Sequence, residues 1–145
     1  MYIFVFMWTP ALGGSDLPFG MMFATYMMSC MLGSLLFAWT SSLKACLVLA
    51  TVAHSVVLVA ESARTKYLAF LLFEVAVGMY FPAAGTTKAR LVPDRQRASI
   101  YSLFRVPLNV IVVGTLLGGL GVTAAFFLTT ALLATATLAS LADFD

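Results

Sequence analysis

Three residues that can carry a charge, His54, Glu74 and Arg105, lie inside long apolar runs of the sequence. A charged side chain at the middle of a membrane helix costs about 2.5–3.5 kcal/mol on insertion scales, so such residues are rare and mark functional sites by default. The chemistries that these residue types support are the binding of a charged solute and the transfer of a proton. They are therefore the first candidates for function.

Arg105 belongs to a polar stripe in an otherwise apolar run. Tyr101, Ser102 and Asn109 lie four residues before, three before and four after it, which are spacings that share one helix face. Its planar guanidinium matches the geometry of an oxyanion, and Pro107 predicts a kink beside the stripe. We predict that these four polar residues bind substrate; a structural ion pair, or an arginine that extends to the membrane surface, is the alternative.

Glu74 lies about eight residues into the preceding apolar run. A carboxyl group inside a membrane can take up and release a proton, which suits proton coupling. The alternative is a counter-charge or shared network with Arg105. The two Cα atoms are expected to differ in depth by several ångströms, given a rise of about 1.5 Å per residue.

Gly78 and Pro82 interrupt the run that contains Glu74. A span interrupted by Gly and Pro is typical of helices that bend or line a site. We predict conformational roles for Gly78, Pro82 and Pro107, with a tolerated kink as the alternative. Ser29 and Gly33 form a small-residue face of the kind that lets membrane helices approach closely.

His54 is the only ionisable residue of its run. Polar side chains in membrane proteins commonly bond to a neighbouring helix. We favour this structural role for His54 over a proton relay.

The composition excludes most soluble functions. The chain has 145 residues, of which 62% are hydrophobic and 10% charged, and its net charge is +2. So small a domain cannot bury that much apolar surface from water, and the low charge predicts no nucleic-acid partner. We interpret Cys30 and Cys46, which both lie in apolar runs, as buried apolar residues. The sequence has no catalytic motif and no metal-ligand spacing, so we expect neither an enzyme nor a cofactor.

Charged breaks divide the sequence into membrane spans within a single domain, residues 1–145. Each span must be a helix, because backbone groups in lipid have to be satisfied internally, and the predicted fold is an all-α polytopic helix bundle. Residues 1–9 are too short to cross a membrane core of about 30 Å, so we expect them to end a preceding helix of a longer protein. The predicted full spans are 19–39, 45–60, 67–86, 99–117 and 122–141.

The distribution of Lys and Arg predicts the orientation. Loops 40–44 and 88–97 lie on one side and together carry five basic residues, whereas the opposite side has only Arg64 and Lys66. Basic loops stay in the cytoplasm. We therefore expect loops 40–44 and 88–97 and the C-terminus to be cytoplasmic, and the plasma membrane to hold the protein.

Two stretches resemble the molybdate-anion transporter branch of the major facilitator superfamily. The sharper one covers residues 69–109 and reads AFLLFEVAVGMYFPAAGTTKARLVPDRQRASIYSLFRVPLN. Residues 2–10, YIFVFMWTP, resemble the end of the seventh helix of that branch. The sequence departs from the family pattern at Asp94, where glutamate is usual, and at Ser102, where asparagine is common.

The resemblance implies a twelve-helix transporter of two six-helix halves, of which this chain supplies the C-terminal half with a truncated first helix. It implies that molybdate or a related oxyanion is the substrate, bound between this half and a missing N-terminal half. Runs 67–86 and 99–117 would lie near the central cavity. The alternatives are a major facilitator transporter of another small solute, and a membrane scaffold or receptor that transports nothing.

Overall fold

The computed structural model describes residues 1–14 and 17–142, and the helices of these residues confirm the predicted all-α fold class. The acidic tail, residues 143–145, and residues 15–16 of the first polar turn lie outside the described residues. The elements are α1 (Tyr2–Leu12), α2 (Phe19–Thr40), α3 (Leu43–Val59), α4 (Ala63–Leu91), a 3-10 turn (Asp94–Gln96), α5 (Arg97–Leu117) and α6 (Val122–Ala142).

Serine side chains define two of the helix starts. The Ser42 hydroxyl accepts a hydrogen bond from the Ala45 N–H at 3.2 Å, and the Ser62 hydroxyl accepts one from the Arg64 N–H at 3.2 Å. Each bond satisfies an N–H that has no partner within its own helix. Ser41, with φ of 46°, ends α2 in the left-handed conformation. The polar breaks of the sequence are therefore sharp helix boundaries.

Two helices extend beyond the apolar runs that predict them. Helix α1 continues through Pro10 to Leu12, and α4 covers 29 residues, from Ala63 to Leu91. Helix α4 continues through Pro82, and the Thr86 hydroxyl donates a hydrogen bond to the Pro82 carbonyl at 3.1 Å. Lys88 and Arg90 lie in its last turn, where cations interact favourably with the helix dipole. Hydropathy underestimates α4 because its last turns are basic.

Helix α4 is the centre of the bundle. It packs against α2 on one side and α3 on another, and α6 packs on α3. Aromatic rings fill the space between α1, α2 and α4, with the Phe4 ring centroid 5.1 Å from that of Phe70 and the Trp8 centroid 5.1 Å from that of Tyr26. Such edge-to-face pairs add to the burial of their apolar area. Helix α4 is thus held on several faces.

Two glycines bring α2 and α4 into backbone contact. A Cβ added at Gly33 would overlap the Val75 carbonyl, and one added at Gly78 would overlap the Cys30 carbonyl. The close approach predicted from Ser29 and Gly33 is therefore confirmed for Gly33. Small residues stabilise such crossings because dispersion contacts, rather than water exclusion, drive helix association in lipid.

Helix α5 stands apart from the rest of the bundle. Thr115 is its single buried residue, and large apolar side chains such as Leu103 and Phe104 are about 70% exposed. Its main contacts with other elements are with α1 and the 3-10 turn. An apolar helix that is exposed on nearly all sides must be covered by lipid or by further protein.

Four of the described helices are long and apolar enough to cross a membrane: α2, α4, α5 together with its preceding turn, and α6. Helices α1 and α3 are apolar but shorter, with 11 and 17 residues. A helix of the length of α3 reaches about 26 Å, close to the hydrocarbon thickness of about 30 Å. The chain is an integral membrane protein.

Candidate functional site

Glu74 lies inside the bundle, on the face of α4 that packs against α2. The residue is 3% exposed, and its side chain makes no hydrogen bond or ion pair with any residue that the structure describes. Tyr26 and Cys30, both on α2, lie within electrostatic range of its carboxyl group. The structure therefore surrounds this carboxyl with the aromatic core and a few polar groups, and the Met1 amino group also lies within electrostatic range of it.

Tyr26 is the residue of this region that sequence reasoning missed. It is 1% exposed, and its hydroxyl is buried without a hydrogen-bond partner among the described residues. Its ring centroid lies 5.6 Å from that of Tyr67, whose own hydroxyl is 2.6 Å from the Thr25 hydroxyl. The sequence did contain a signal for this residue. Tyr26 lies inside its span, whereas tyrosines of membrane helices are usually found at the ends of spans.

Arg105 lies on the exposed surface of α5, next to the exposed residues Ser102, Pro107 and Asn109. Its guanidinium has no ion-pair or hydrogen-bond partner within residues 1–14 and 17–142. Asn109 lines a shallow open groove of about 420 Å³ on the same helix, together with Val110, Val113 and Gly114. The cation of the predicted stripe is free to meet a ligand or another part of the protein.

The structure does not bring Arg105 and Glu74 together. Glu74 points into the α2–α4 interface, whereas Arg105 lies on a helix whose main contacts are with α1 and the 3-10 turn. Arg97 and Asp94, by contrast, form an ion pair with each other. Among the described residues, Glu74 and Arg105 therefore form no ion pair, and a counter-charge role for Glu74 stays a prediction.

Tyr101 is separated from the rest of the stripe by its contact with α4. The ammonium nitrogen of Lys88 lies 5.3 Å from the centroid of the Tyr101 ring, within the range of a cation–π interaction. This contact connects the end of α4 to the start of α5. Tyr101 is half-buried as a result, while Ser102 beside it is exposed.

Contacts within the loop between α4 and α5 stabilise its turn. Arg97 pairs with Asp94, and it also donates to the Val92 carbonyl at 3.4 Å. Both contacts turn the chain from α4 into α5 within a few residues. The aspartate that departs from the family pattern thus still pairs with the loop arginine.

Gly78 and Pro82 have different surroundings in α4. Gly78 lies at the backbone contact with α2, whereas Pro82 is partly buried one turn later. Gly78 therefore fixes a helix crossing in this structure, and a bending role for either residue stays a prediction.

His54 is a core residue. It is 1% exposed, with its ring centroid 4.2 Å from that of Phe73 on α4 and 5.6 Å from that of Phe126 on α6. The expected hydrogen bond to a neighbouring helix is not found among the described residues, since Nδ1 has no partner there. Instead of forming such a hydrogen bond, the imidazole packs against the rings of Phe73 and Phe126.

The described residues include no group of three or more Cys, His, Asp or Glu side chains that could hold a metal ion. A smaller cavity of about 70 Å³ lies where Lys66, Ala11, Val57 and Phe126 meet. Lys66 donates to the Ala11 carbonyl there at 3.4 Å. This lysine therefore helps to hold the end of α1.

Comparison with known proteins gives relatives across most of the chain. Residues 1–67 match a major facilitator family model described as sugar transporters with 12 transmembrane segments. The molybdate-anion transporter of Xenopus tropicalis is 36% identical over 83% of this chain and 29% of its own length. That of Takifugu rubripes is 34% identical over 77% of this chain and 26% of its own length.

The molybdate-anion transporter of Danio rerio is 36% identical, again over 77% of this chain and 26% of the relative. The chain thus spans less than a third of the length of the curated relatives it matches. No solved structure matches it. The relatives and the family model confirm the resemblance seen in the sequence, and the chain is similar over most of its length to molybdate-anion transporters of the major facilitator superfamily.

Proposed function

We propose that this sequence is the C-terminal half of a major facilitator transporter that carries molybdate or a related oxyanion. The observation that carries the proposal is the position of Arg105, a cation on an intramembrane helix with no partner among the described residues. An oxyanion supplies the acceptors that such a guanidinium lacks. The relatives named as molybdate-anion transporters support the choice of substrate.

The N-terminal half is the second component of the proposed site. Helix α5 exposes apolar side chains on almost every face, and substrate sites of secondary transporters lie between two structural repeats. Arg105, Ser102 and Asn109 would therefore bind the anion from one side, with the other half contributing the remainder. Transport would follow from rocking of the two halves around the site.

The proposed orientation places loops 40–44 and 88–97 and the C-terminus in the cytoplasm, with the protein in the plasma membrane. The excess of basic residues in these loops supports it. Lys88 and Arg97 of the basic loop are both engaged in contacts between α4 and α5. Loss of the loop charges would thus alter packing as well as orientation.

Molybdate uptake tests the proposal directly. In cells that express the full-length transporter carrying this sequence, we expect Arg105→Ala to lower uptake at least about tenfold, because a charge-assisted hydrogen bond contributes about 1.5–3 kcal/mol. Arg105→Lys should retain part of the activity, since it keeps the charge but loses the planar fork. Arg64→Ala is the matched control, because it removes an exposed arginine from the opposite loop.

Surface abundance must be equal for all variants. Uptake that Arg105→Ala leaves unchanged would contradict the role of Arg105. If Arg105→Lys and Arg105→Ala leave every phenotype intact, a non-transporting scaffold or receptor becomes the better explanation.

A transporter of a different solute is the second candidate, because the matching family model is described as sugar transporters. Fold does not determine substrate. Competition of labelled molybdate uptake by sulfate and by sugars separates the two. Inhibition by sugars, with no uptake of molybdate, would favour the second candidate.

A further inference from the structure

Lys88 lies at one end of the polar stripe of α5, although it belongs to α4. Its ammonium nitrogen is 5.3 Å from the ring centroid of Tyr101, the first residue of that stripe. The Lys88 carbonyl accepts a hydrogen bond from the Val92 N–H at 3.0 Å, so the backbone is still helical at this position. The end of α4 therefore places a second cation beside the residues predicted to bind substrate.

Arg105 follows Tyr101 by four residues on the same face of α5. Residues with this spacing on a helix have their Cβ atoms about 5–6 Å apart. Lysine and arginine both have long side chains whose charged heads can move over such a distance. The Lys88 ammonium and the Arg105 guanidinium thus belong to one short stretch of surface, which also includes Ser102.

Neither of these two cations has an acidic partner among the described residues. Residues 75–142 contain a single acidic residue, Asp94, and its carboxylate pairs with Arg97. Lys88 and Arg105 are both exposed, and no ion pair joins either of them to a described residue. Charges of one sign that gather on one surface raise the local concentration of counter-ions. The charge of the stripe therefore matches that of a dianion.

The other basic residues of this region are placed differently. Arg97 shares a face with the stripe, but its guanidinium is engaged in the loop contacts described above. Arg90 is two residues from Lys88, and residues with that spacing do not share a helix face. Arg95 lies in the 3-10 turn that precedes α5. Lys88 is thus the basic residue of the loop region whose side chain the structure places against the stripe.

From this arrangement we infer that Lys88 is the second cation that binds the transported dianion, together with Arg105, and that Tyr101 positions it. The inference rests on the proposed function. In the structure the ammonium lies on the Tyr101 ring. An oxyanion at Ser102 draws it from the ring, because a charge-assisted hydrogen bond is stronger than a cation–π contact at an exposed site. No covalent bond is made or broken.

The two cations differ in what they can do for the anion. The planar guanidinium of Arg105 offers donors in a fixed fork and so orients the oxyanion. The Lys88 ammonium is a compact charge on a flexible stem, with three donors that rotate. It can therefore follow the anion along the stripe toward the α4–α5 loop. A single guanidinium balances only half of the charge of a dianion, and Lys88 supplies the remainder.

The test is equilibrium binding of labelled molybdate to the full-length transporter that carries this sequence, in nanodiscs of phosphatidylcholine. This lipid has no net charge, so no anionic headgroup competes for the two cations. Lys88→Gln should raise the Kd about tenfold, because one charge-assisted hydrogen bond is lost. Lys88→Arg should keep the Kd within about threefold of the wild-type value, since it retains the charge and the contact with the ring.

Arg90→Gln is the matched control, because it removes an equal charge from the same last turn of α4, at an exposed position. Its Kd should equal that of the wild type. The dependence of binding on salt is a second readout, which a lysine with a structural role alone would not change. The wild-type Kd should rise with ionic strength, and Lys88→Gln should make this rise shallower, because fewer charges face the anion.

An unchanged Kd in Lys88→Gln overturns the inference, and so does an equal loss of affinity in Arg90→Gln. Failure of Lys88→Arg to restore binding, or a salt dependence that Lys88→Gln leaves unaltered, overturns it as well. In each of these cases a loss of binding in Arg105→Ala leaves the proposed function intact. If the wild-type transporter neither binds nor takes up molybdate, the proposed function is wrong, and the inference is overturned with it.

Discussion

At the scale of single residues, the polar side chains of this membrane domain divide into two groups. Glu74 and Tyr26 are enclosed by the aromatic core, whereas Arg105 and Asn109 face outward from α5. The enclosed side chains are in contact only with neighbouring groups of the bundle. Outward groups are available to a solute or to a second protein half. The candidate residues predicted from the sequence thus lie in two different parts of the domain.

The Thr25–Tyr67 hydrogen bond is expected to contribute modestly to stability. Tyr67→Phe removes one partner of this 2.6 Å contact between α2 and α4. Interhelical hydrogen bonds in membranes average about 0.6 kcal/mol, so the melting temperature of the purified protein should fall by a few degrees at most. Tyr80→Phe, at an exposed position of α4, should leave it unchanged. An equally large loss in Tyr80→Phe would show that the effect does not come from the Thr25–Tyr67 hydrogen bond.

At the scale of elements, the central fact is the direct contact of the α2 and α4 backbones. Most of the bundle is built around α4, and its crossing with α2 leaves no room for a side chain at Gly33 or Gly78. Glu74 and Tyr26 lie next to this crossing. Helix α5, by contrast, is connected to α4 mainly through the loop and the Lys88–Tyr101 contact. Helix α4 therefore packs closely against its neighbours, whereas α5 makes few contacts with the bundle.

A methyl group at the crossing should separate the two helices. Gly78→Ala places a Cβ against the Cys30 carbonyl, where backbone has to shift. Overpacking of this kind costs about 1–3 kcal/mol, and the unfolding temperature in detergent should drop accordingly. Gly85→Ala is the control on the same helix, since a Cβ there meets nothing within 4 Å.

Gly85→Ala should be neutral or slightly stabilising, because alanine favours helix more than glycine does. Equal stability of the Gly78 and Gly85 variants would contradict the tight crossing.

At the scale of the whole molecule, the positions of basic loops and of exposed apolar surface indicate how the domain is oriented in the membrane and which side of it is covered. The basic residues gather in the loops at one end of the helices, and α5 presents apolar surface to whatever covers the bundle. The chain covers less than a third of its curated relatives. The proposed site therefore needs contributions that the described helices do not provide by themselves.

Labelling of single cysteines tests the orientation. Glu61 and Arg95 are both exposed loop residues on opposite sides of the predicted membrane. In intact cells a membrane-impermeant thiol reagent should modify Glu61→Cys but not Arg95→Cys, because basic loops stay inside. Both should react after permeabilisation. Labelling of Arg95→Cys in intact cells would reverse the topology. The background labelling is measured in the wild-type protein, whose cysteines Cys30 and Cys46 lie within helices α2 and α3.

The sequence by itself determined which parts of this protein are membrane helices and which residues are unusual there. Hydropathy and charge are local properties, so they identify Glu74 and Arg105 and the polar breaks at Ser42 and Ser62. They also carry the family resemblance, because motifs such as FRVPLN are continuous in the chain.

Only the tertiary structure decided which helix faces meet. In a chain whose helices are apolar on nearly every side, no periodic pattern distinguishes an interface from a lipid-facing surface. The separation of Arg105 from Glu74, the orphan hydroxyl of Tyr26 and the contact of Lys88 with Tyr101 all depend on long-range packing. Small side chains and close backbone contacts set that packing, and their effect appears only when two distant segments are placed together.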